Sequence, residues 1–419
     1  MQAGIRAFIV DNAPTHQQED ANAWAGRITG VGSILGYLSG YVDLPKVSGG
    51  YFGDTQFKVL CIIACFALGG TVLFSCVCIR ERDPRSEGPP PEEKLGVLSF
   101  FHQVFYSMKR LNPQIRKVCE AQFFNWIGWF PFLFYITTYI GQLHVNPYFA
   151  AHPNLPSSDI DLAWERATRV ATFALLIFAI TSFLANTLLP FIIVPSYRAP
   201  SPTISRTHSF RSLARSPHPT TPMSASMTSF FPPTPSPSTH SRLTRLLSAA
   251  QIPWLTLRRA WLLSHLLFAA CMALTFIITT PTGATVLVAF VGLSWALSQW
   301  APFALISAEI SKRETAARRS GRGGAAREDQ AGVILGLHNV AIAAPQIIAT
   351  LVSSAIFKGV QKERGVAGDE SVGWVLRFGG VAALVAAYMT SRIEEQGGGG
   401  AGRGLGKSVR DEESADGEV

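Results

Sequence analysis

Val118–Gly141 reads VCEAQFFNWIGWFPFLFYITTYIG, an apolar and aromatic run long enough to cross a membrane. A helix needs about 20 such residues to span a bilayer core. Seven further runs of comparable length lie near 24–44, 57–79, 168–195, 260–280, 284–309, 331–357 and 373–391. The connections between them alternate in positive charge. Lys and Arg number eight in 80–117, eight in 196–259, six in 310–330 and four in 392–419. They number one in 45–56, one in 142–167, none in 281–283 and three in 358–372. Basic connections mark the cytoplasmic side. The alternation therefore defines a multi-pass integral membrane protein with a cytoplasmic C-terminus, expected in the plasma membrane rather than the vacuole.

Composition agrees. Only 15% of the 419 residues are charged, against about 25% in a soluble domain. The net charge of +8 sits in connections on one side, so the expected partner of that charge is anionic membrane lipid and not nucleic acid. Cys61, Cys65, Cys76, Cys78, Cys119 and Cys271 fall in or beside apolar runs with no metal-ligand or disulfide pattern, and are expected to be small buried hydrophobes. No basic stretch followed by an apolar one marks a signal peptide at the start.

Met1–Asp11, MQAGIRAFIVD, has the character of a helix end that Pro14 terminates. Eleven helical residues rise about 16 Å, roughly half a bilayer core, and Arg6 sits in the middle of them. An arginine at membrane depth needs support from other helices. The expectation is that part of this helix, and helices before it, precede Met1. The alternative is a helix lying at the interface.

Within 24–44, Gly32, Gly36 and Gly40 recur every four residues and form a smooth stripe for close helix approach. GVGSILG is not a nucleotide fingerprint, since its spacing is one residue too long and it lies inside an apolar run. The segment SFFHQVFYSMKRL fits an amphipathic surface helix. In 118–141 the aromatics run through the whole helix, and Pro131 is expected to interrupt it. Facing lipid, packing the core and stacking on the apolar face of a sugar all suit them. Residues 196–259 are rich in Ser, Thr, Pro and Arg and the tail is Gly-rich and then charged, so both are expected to be disordered. Ser209 and Ser216 follow basic residues and are candidate phosphorylation sites. His265 and His338 stand singly on separate runs and are expected to be packed rather than ligating.

Enzyme motifs are missing: there is no HExxH, P-loop or GxSxG, and Asp and Glu are nearly confined to connections and helix ends. Amides, histidines and arginines scattered over several helices instead suit a site built between helices near the midplane, as in transporters.

Three stretches resemble the sucrose and α-glucoside/proton symporters, part of the glycoside–pentoside–hexuronide:cation group within the major facilitator superfamily. QAGIRAFIVD (2–11) with ANAWAGRITGVGSILGY (21–37) is similar to that family's fourth and fifth helices. WIGWFPFLFYITTYIG (126–141) is similar to helix seven, and GVILGLHNVAIAAPQII (332–348) to helix eleven. The resemblance implies an all-α fold with helices four to twelve of twelve, eight of them full transmembrane helices and the first partial. Residues 1–79 would form an incomplete N-terminal lobe, 80–117 a cytoplasmic connection, 118–393 a six-helix C-terminal lobe containing the loop 196–259, and 394–419 a tail.

It further implies symport of a disaccharide with a proton as coupling ion and no other cofactor. Arg6, Trp126, Trp129, Asn339 and Gln346 would contact substrate, with Asp11, Arg169 and His338 as supporting polar groups. The family's coupling aspartate would fall before Met1, so proton-driven accumulation by this chain is expected to be impaired. Ile136, Thr137 and Thr138 replace the acidic pattern of plant sucrose carriers, which points to the fungal branch. Ala171 stands where glycine is usual two residues beyond the matching Arg169. A transporter-like sensor and a gene-model fragment are the competing expectations.

Overall fold

A computed structural model describes residues 18–78, 102, 106–194, 251–319 and 328–395, without the side chains of 18–20, 22–23, 311–319 and 328–332. Arg6, Asp11, Pro14, Ser209, Ser216 and the glycine-rich tail lie outside the described residues. The described elements are helical: α1 Gln18–Tyr41, the short α2 Leu44–Val47, α3 Gln56–Cys78, α4 Pro113–Ala151, α5 Ser157–Ile192, α6 Leu257–Leu274, α7 Pro281–Arg319, α8 Glu328–Ala343, α9 Pro345–Val360 and α10 Ser371–Ser391. By length and composition, six spans are apolar enough to cross a membrane: α3, α5, α6, α7 up to Ile310, Val333–Val360 and α10. α1 and α4 are as long but less apolar, because glycine, tyrosine and Arg27 dilute the first and tryptophan, tyrosine and proline the second. Both fall on expected spans.

Proline acts differently at two places. α4 runs through Pro131 and Pro147 without a break, which corrects the expected interruption. Phe130, Pro131 and Phe132 are all buried, so packing on every side holds the helix although one backbone bond is lost. Pro345 does end a helix: α8 stops at Ala343 and α9 starts afresh with proline in its first turn, where the missing N–H costs nothing. Enclosure alone does not decide the outcome, since Pro147 is exposed within the unbroken α4 and Pro345 is buried.

α4 lies at the centre, packed against α5, α7, α8, α9 and α10. Lipid tails are as apolar as leucine, so helix association in a membrane rests on close packing and polar contacts rather than on hydrophobic transfer. Glycine supplies the closest crossings. A Cβ at Gly128 of α4 would stand 2.6 Å from the carbonyl oxygen of Gly379 on α10, and one at Gly379 2.8 Å from that of Gly128. Gly380 meets Met272 of α6 in the same way, and Gly292 of α7 meets the backbone of α5 at Phe178. Around these crossings lies a core of Trp129, Phe132, Ile136, Phe178, Phe268, Met272 and Leu376.

α1 packs along α5, and of the expected stripe Gly32, Gly36 and Gly40 only Gly40 makes this contact, joined by Gly30. Gly30 meets Phe183 and Gly40 meets Thr172, whereas Gly26, Gly32 and Gly36 have nothing within 4 Å of a Cβ. Gln56 fixes the turn that follows: its amide donates to the carbonyls of Ser39 and Val42 at 3.0 and 2.7 Å and accepts from Leu44 N at 3.0 Å. α3 packs chiefly on α1 and α2 and stays largely exposed. Cys61, Cys65, Cys76 and Cys78 are therefore exposed, contrary to expectation, while Cys119 and Cys271 are buried as expected.

At the end of the bundle where α4 begins, order reaches further than the sequence implied. Residues 251–259 belong to the fold: Ile252 N donates to Ile192 O at 3.0 Å and Thr256 caps α6. Glu394 and Glu395 belong too. Glu395 takes Arg258 and Arg259 at 2.8 and 2.6 Å, Glu394 takes Lys117 at 3.3 Å, and Arg258 donates to the end carbonyls Ser391 O and Ile393 O. Two arginines beside it hold the Glu395 carboxyl below the usual carboxylate range, Arg258 more than Arg259. Asn112, the N-cap of α4, donates to Glu309 at 2.6 Å. Glu309 is thus not at a helix end. It is buried inside α7, yet 28 residues beyond Pro281, or about 42 Å along the axis and past a bilayer core.

Candidate functional site

Four side chains of α4 at the helical spacing i, i+3, i+4 and i+7 share one face: Gln122, Asn125, Trp126 and Trp129. They meet Trp295 and Ser298, three apart on α7. Asn125 donates to Gln122 Oε1 at 3.0 Å and to Ser298 Oγ at 3.4 Å. The Trp129 indole N–H donates to the same hydroxyl at 3.1 Å. Gln122, Asn125, Trp129 and Ser298 are all 2% exposed or less. Ser294, one turn back on α7, donates to Ser264 O of α6 at 2.8 Å and continues the polar seam.

Two donors in this cluster have no hydrogen-bond partner among the described residues, Gln122 Nε2 and Trp126 Nε1. An amide or indole N–H without an acceptor costs about 1–3 kcal/mol when buried. The cluster is thus uncharged, rich in amide and hydroxyl groups, and short of acceptors. Aromatic faces border it. Trp295 stands 4.8 Å from Trp129 and 6.0 Å from Trp126, and Phe268 stands 4.5 Å from Trp129. Hydroxyl oxygens satisfy such donors and flat apolar faces suit such rings.

The expected site residues separate. Trp126 is half-buried at the edge of the cluster. Trp129 is inside it, with its ring covered by Phe268 and Trp295 and its N–H engaged by Ser298, so it holds α4, α6 and α7 together. Asn339 and Gln346 are exposed on α8 and α9, and among the described residues neither is hydrogen-bonded to the cluster. His338 is buried with its ring edge-on to Phe303 at 4.9 Å. Arg169 is remote from the cluster's bonds. It joins Asp43, in the turn after α1, at 3.3 Å and Glu165 at 3.2 Å. Lys46, mainly, and Arg169 hold the Asp43 carboxyl below the usual range. Gln122, Asn125 and Ser298 went unnoticed in the sequence. The signal was present as Gln-x-x-Asn-Trp-x-x-Trp, a polar stripe continuing the tryptophan face one and two turns back.

Described residues that are helical in every named element, with six spans of membrane length and a buried, uncharged polar cluster between α4 and α7, have the architecture of a multi-pass membrane transporter. Comparison with known proteins specifies it. No family model matches. The general alpha-glucoside permease of Schizosaccharomyces pombe is 35% identical over 94% of this chain and 70% of its own length. The MFS-type transporter cctQ of Talaromyces islandicus is 33% identical over 34% of this chain and 54% of its own. Sucrose transport protein SUT2 of Oryza sativa subsp. indica is 26% identical over 42% and 36%. This chain belongs to the sucrose and α-glucoside symporter family of the major facilitator superfamily, on its fungal branch. These relatives are transporters and not enzymes.

Proposed function

We propose that this protein carries a neutral disaccharide, sucrose or a maltose-type α-glucoside, across the plasma membrane together with a proton. The observation that carries this is the Gln122–Asn125–Trp126–Ser298 cluster, uncharged and with two buried N–H donors in want of acceptors. In this reading sugar hydroxyls accept from Gln122 and Trp126, and Trp126 and Trp295 offer their faces to the apolar side of a ring. Trp129 positions Ser298 and the α6–α7 contact. Arg6, Asn339 and Gln346 complete the path from other helices, and Asp11 and His338 support it. Residues before 80 form one lobe and 118–393 the other, with the C-terminus cytoplasmic, as the Lys and Arg alternation supports. Asp43 and Arg169 then lie on the outer side and tie the two lobes together. Residues 142–167 and 45–56, which flank this pair, carry one Lys or Arg each.

Sugar binding is tested on the purified chain through its tryptophan fluorescence and thermal stability with sucrose, maltose and, as a control, glucose. Uptake of labelled sugar is measured in a yeast strain unable to take up either disaccharide, at neutral and acid external pH, with and without a protonophore. The expected result is disaccharide binding that is lost in Gln122→Ala and Asn125→Ala, together with disaccharide uptake; a rise at acid external pH that the protonophore abolishes would show intact proton coupling, and uptake indifferent to both would show the impairment expected from the sequence. Binding unaffected by both substitutions would overturn the site. Binding with no uptake by protein at the cell surface would overturn transport.

A further inference from the structure

The four cysteines of α3 differ in position along the helix. Cys61 and Cys65 lie in its first half, Cys76 and Cys78 in its last turn, and all four are exposed. From Gln56 to Cys78 the helix rises about 33 Å, close to the roughly 30 Å of a hydrocarbon core, whereas Cys65 lies only about 13 Å along. α3 leaves the connection 45–56, with one Lys or Arg, and runs toward 80–117, which has eight. On the orientation proposed above, Cys76 and Cys78 emerge at the cytoplasmic face. Two residues apart on a helix are turned by roughly 200°. A neighbouring helix that covers one of these thiols leaves the other facing lipid.

We propose that Cys76 and Cys78 are sites of S-acylation by a long-chain fatty acid. Cysteines at the membrane boundary on the cytoplasmic side are where such thioesters form. The donor is a fatty acyl-coenzyme A, and the transfer is catalysed by an acyltransferase of the host membrane. The acyl carbon–sulfur bond to coenzyme A breaks and a new one forms to cysteine Sγ. Coenzyme A leaves as the thiol with the proton that the cysteine gives up, and nothing is oxidised or reduced. The chain would lie along the exposed Phe74 and Val77, 70% and 74% accessible, and hold the start of the basic connection against the inner leaflet.

The test uses the full chain expressed in yeast membranes. Free thiols are blocked, thioesters are cleaved with neutral hydroxylamine, and the released thiols are tagged with a polyethylene glycol maleimide. The expected result is a hydroxylamine-dependent gel shift of one or two tags. It disappears in Cys76→Ser/Cys78→Ser and persists in Cys61→Ser/Cys65→Ser. Both variants are checked by size-exclusion chromatography, and mass spectrometry of the peptide around Cys78 should show the acyl mass. A membrane-impermeant maleimide, applied to intact and to permeabilised cells, tests orientation separately. Labelling of Cys76 and Cys78 from outside would overturn the orientation and the proposal together. Labelling only after permeabilisation, with no hydroxylamine-dependent shift, would overturn acylation and leave the orientation standing.

Discussion

Replacing Gly128 with alanine should loosen the whole α4–α10 crossing. The added Cβ would stand 2.6 Å from Gly379 O, and ordinary contact begins at 3.4 Å, so the two helices must part by about 0.8 Å at that point. α10 cannot retreat freely. About 100° round the helix, Gly380 already lies where a Cβ would be 2.8 Å from Met272 Cβ and 3.4 Å from Ala269 O. The displacement therefore passes into α6 and into Phe268, which covers Trp129. Overpacking of this kind costs about 1–3 kcal/mol, and here the upper half applies because the obstacle is backbone and not a flexible side chain. At about 2–4 °C per kcal/mol for a chain of a few hundred residues, the melting temperature should fall by roughly 4–12 °C. The assay is size-exclusion chromatography of detergent-solubilised protein after graded heating, followed by sugar binding on the surviving fraction. Gly336→Ala is the control, since nothing lies within 4 Å of a Cβ there. Gly128→Ala and Gly379→Ala relieve the same contact once the helices part, so the double variant should cost less than the sum of the two. A Gly128→Ala protein as stable as Gly336→Ala would refute the crossing.

Ser298→Ala removes the acceptor shared by Trp129 and Asn125 and should destabilise by about 1–3 kcal/mol while weakening sugar binding, with Ser298→Thr restoring both; thermal stability and a binding isotherm read the two effects. Asp43→Arg and Arg169→Asp should each alter the uptake rate with little change in stability, because a half-exposed pair contributes only about 0–1 kcal/mol, and the exchanged double variant should recover; additive losses would deny the pair any coupling. Glu395→Gln should lower thermal stability at neutral pH. The depressed carboxyl contributes stability above its unfolded value, about 4.3, and loses it as pH falls through the lower folded value, so the gap between wild type and variant should close in strong acid.

The sequence by itself settled what depends on composition along one dimension. Membrane class and the approximate positions of the spans follow from run length, because the bilayer imposes a length rule on each segment separately. The family was legible for the same reason: WIGWFPF and its companion stretches are local. Boundaries of ordered structure were less legible. Residues 251–259 and Glu394–Glu395 look like loop and tail, and only their partners Ile192, Lys117 and Arg258 make them part of the bundle. Whether a proline breaks its helix was not legible either: α4 continues through Pro131 and Pro147, whereas α8 ends before Pro345.

Tertiary structure decided which glycine and which amide matter. Gly128, Gly379 and Gly292 are unremarkable in sequence and become the closest crossings, while the periodic Gly32 and Gly36 touch nothing. Gln122, Asn125 and Ser298 lie 176 positions apart at their extremes yet form one hydrogen-bonded unit. Periodicity shows that residues share a face of one helix, but it cannot show what that face meets. The partner is chosen by the packing of α4 against α7, and with it the number of donors left without an acceptor.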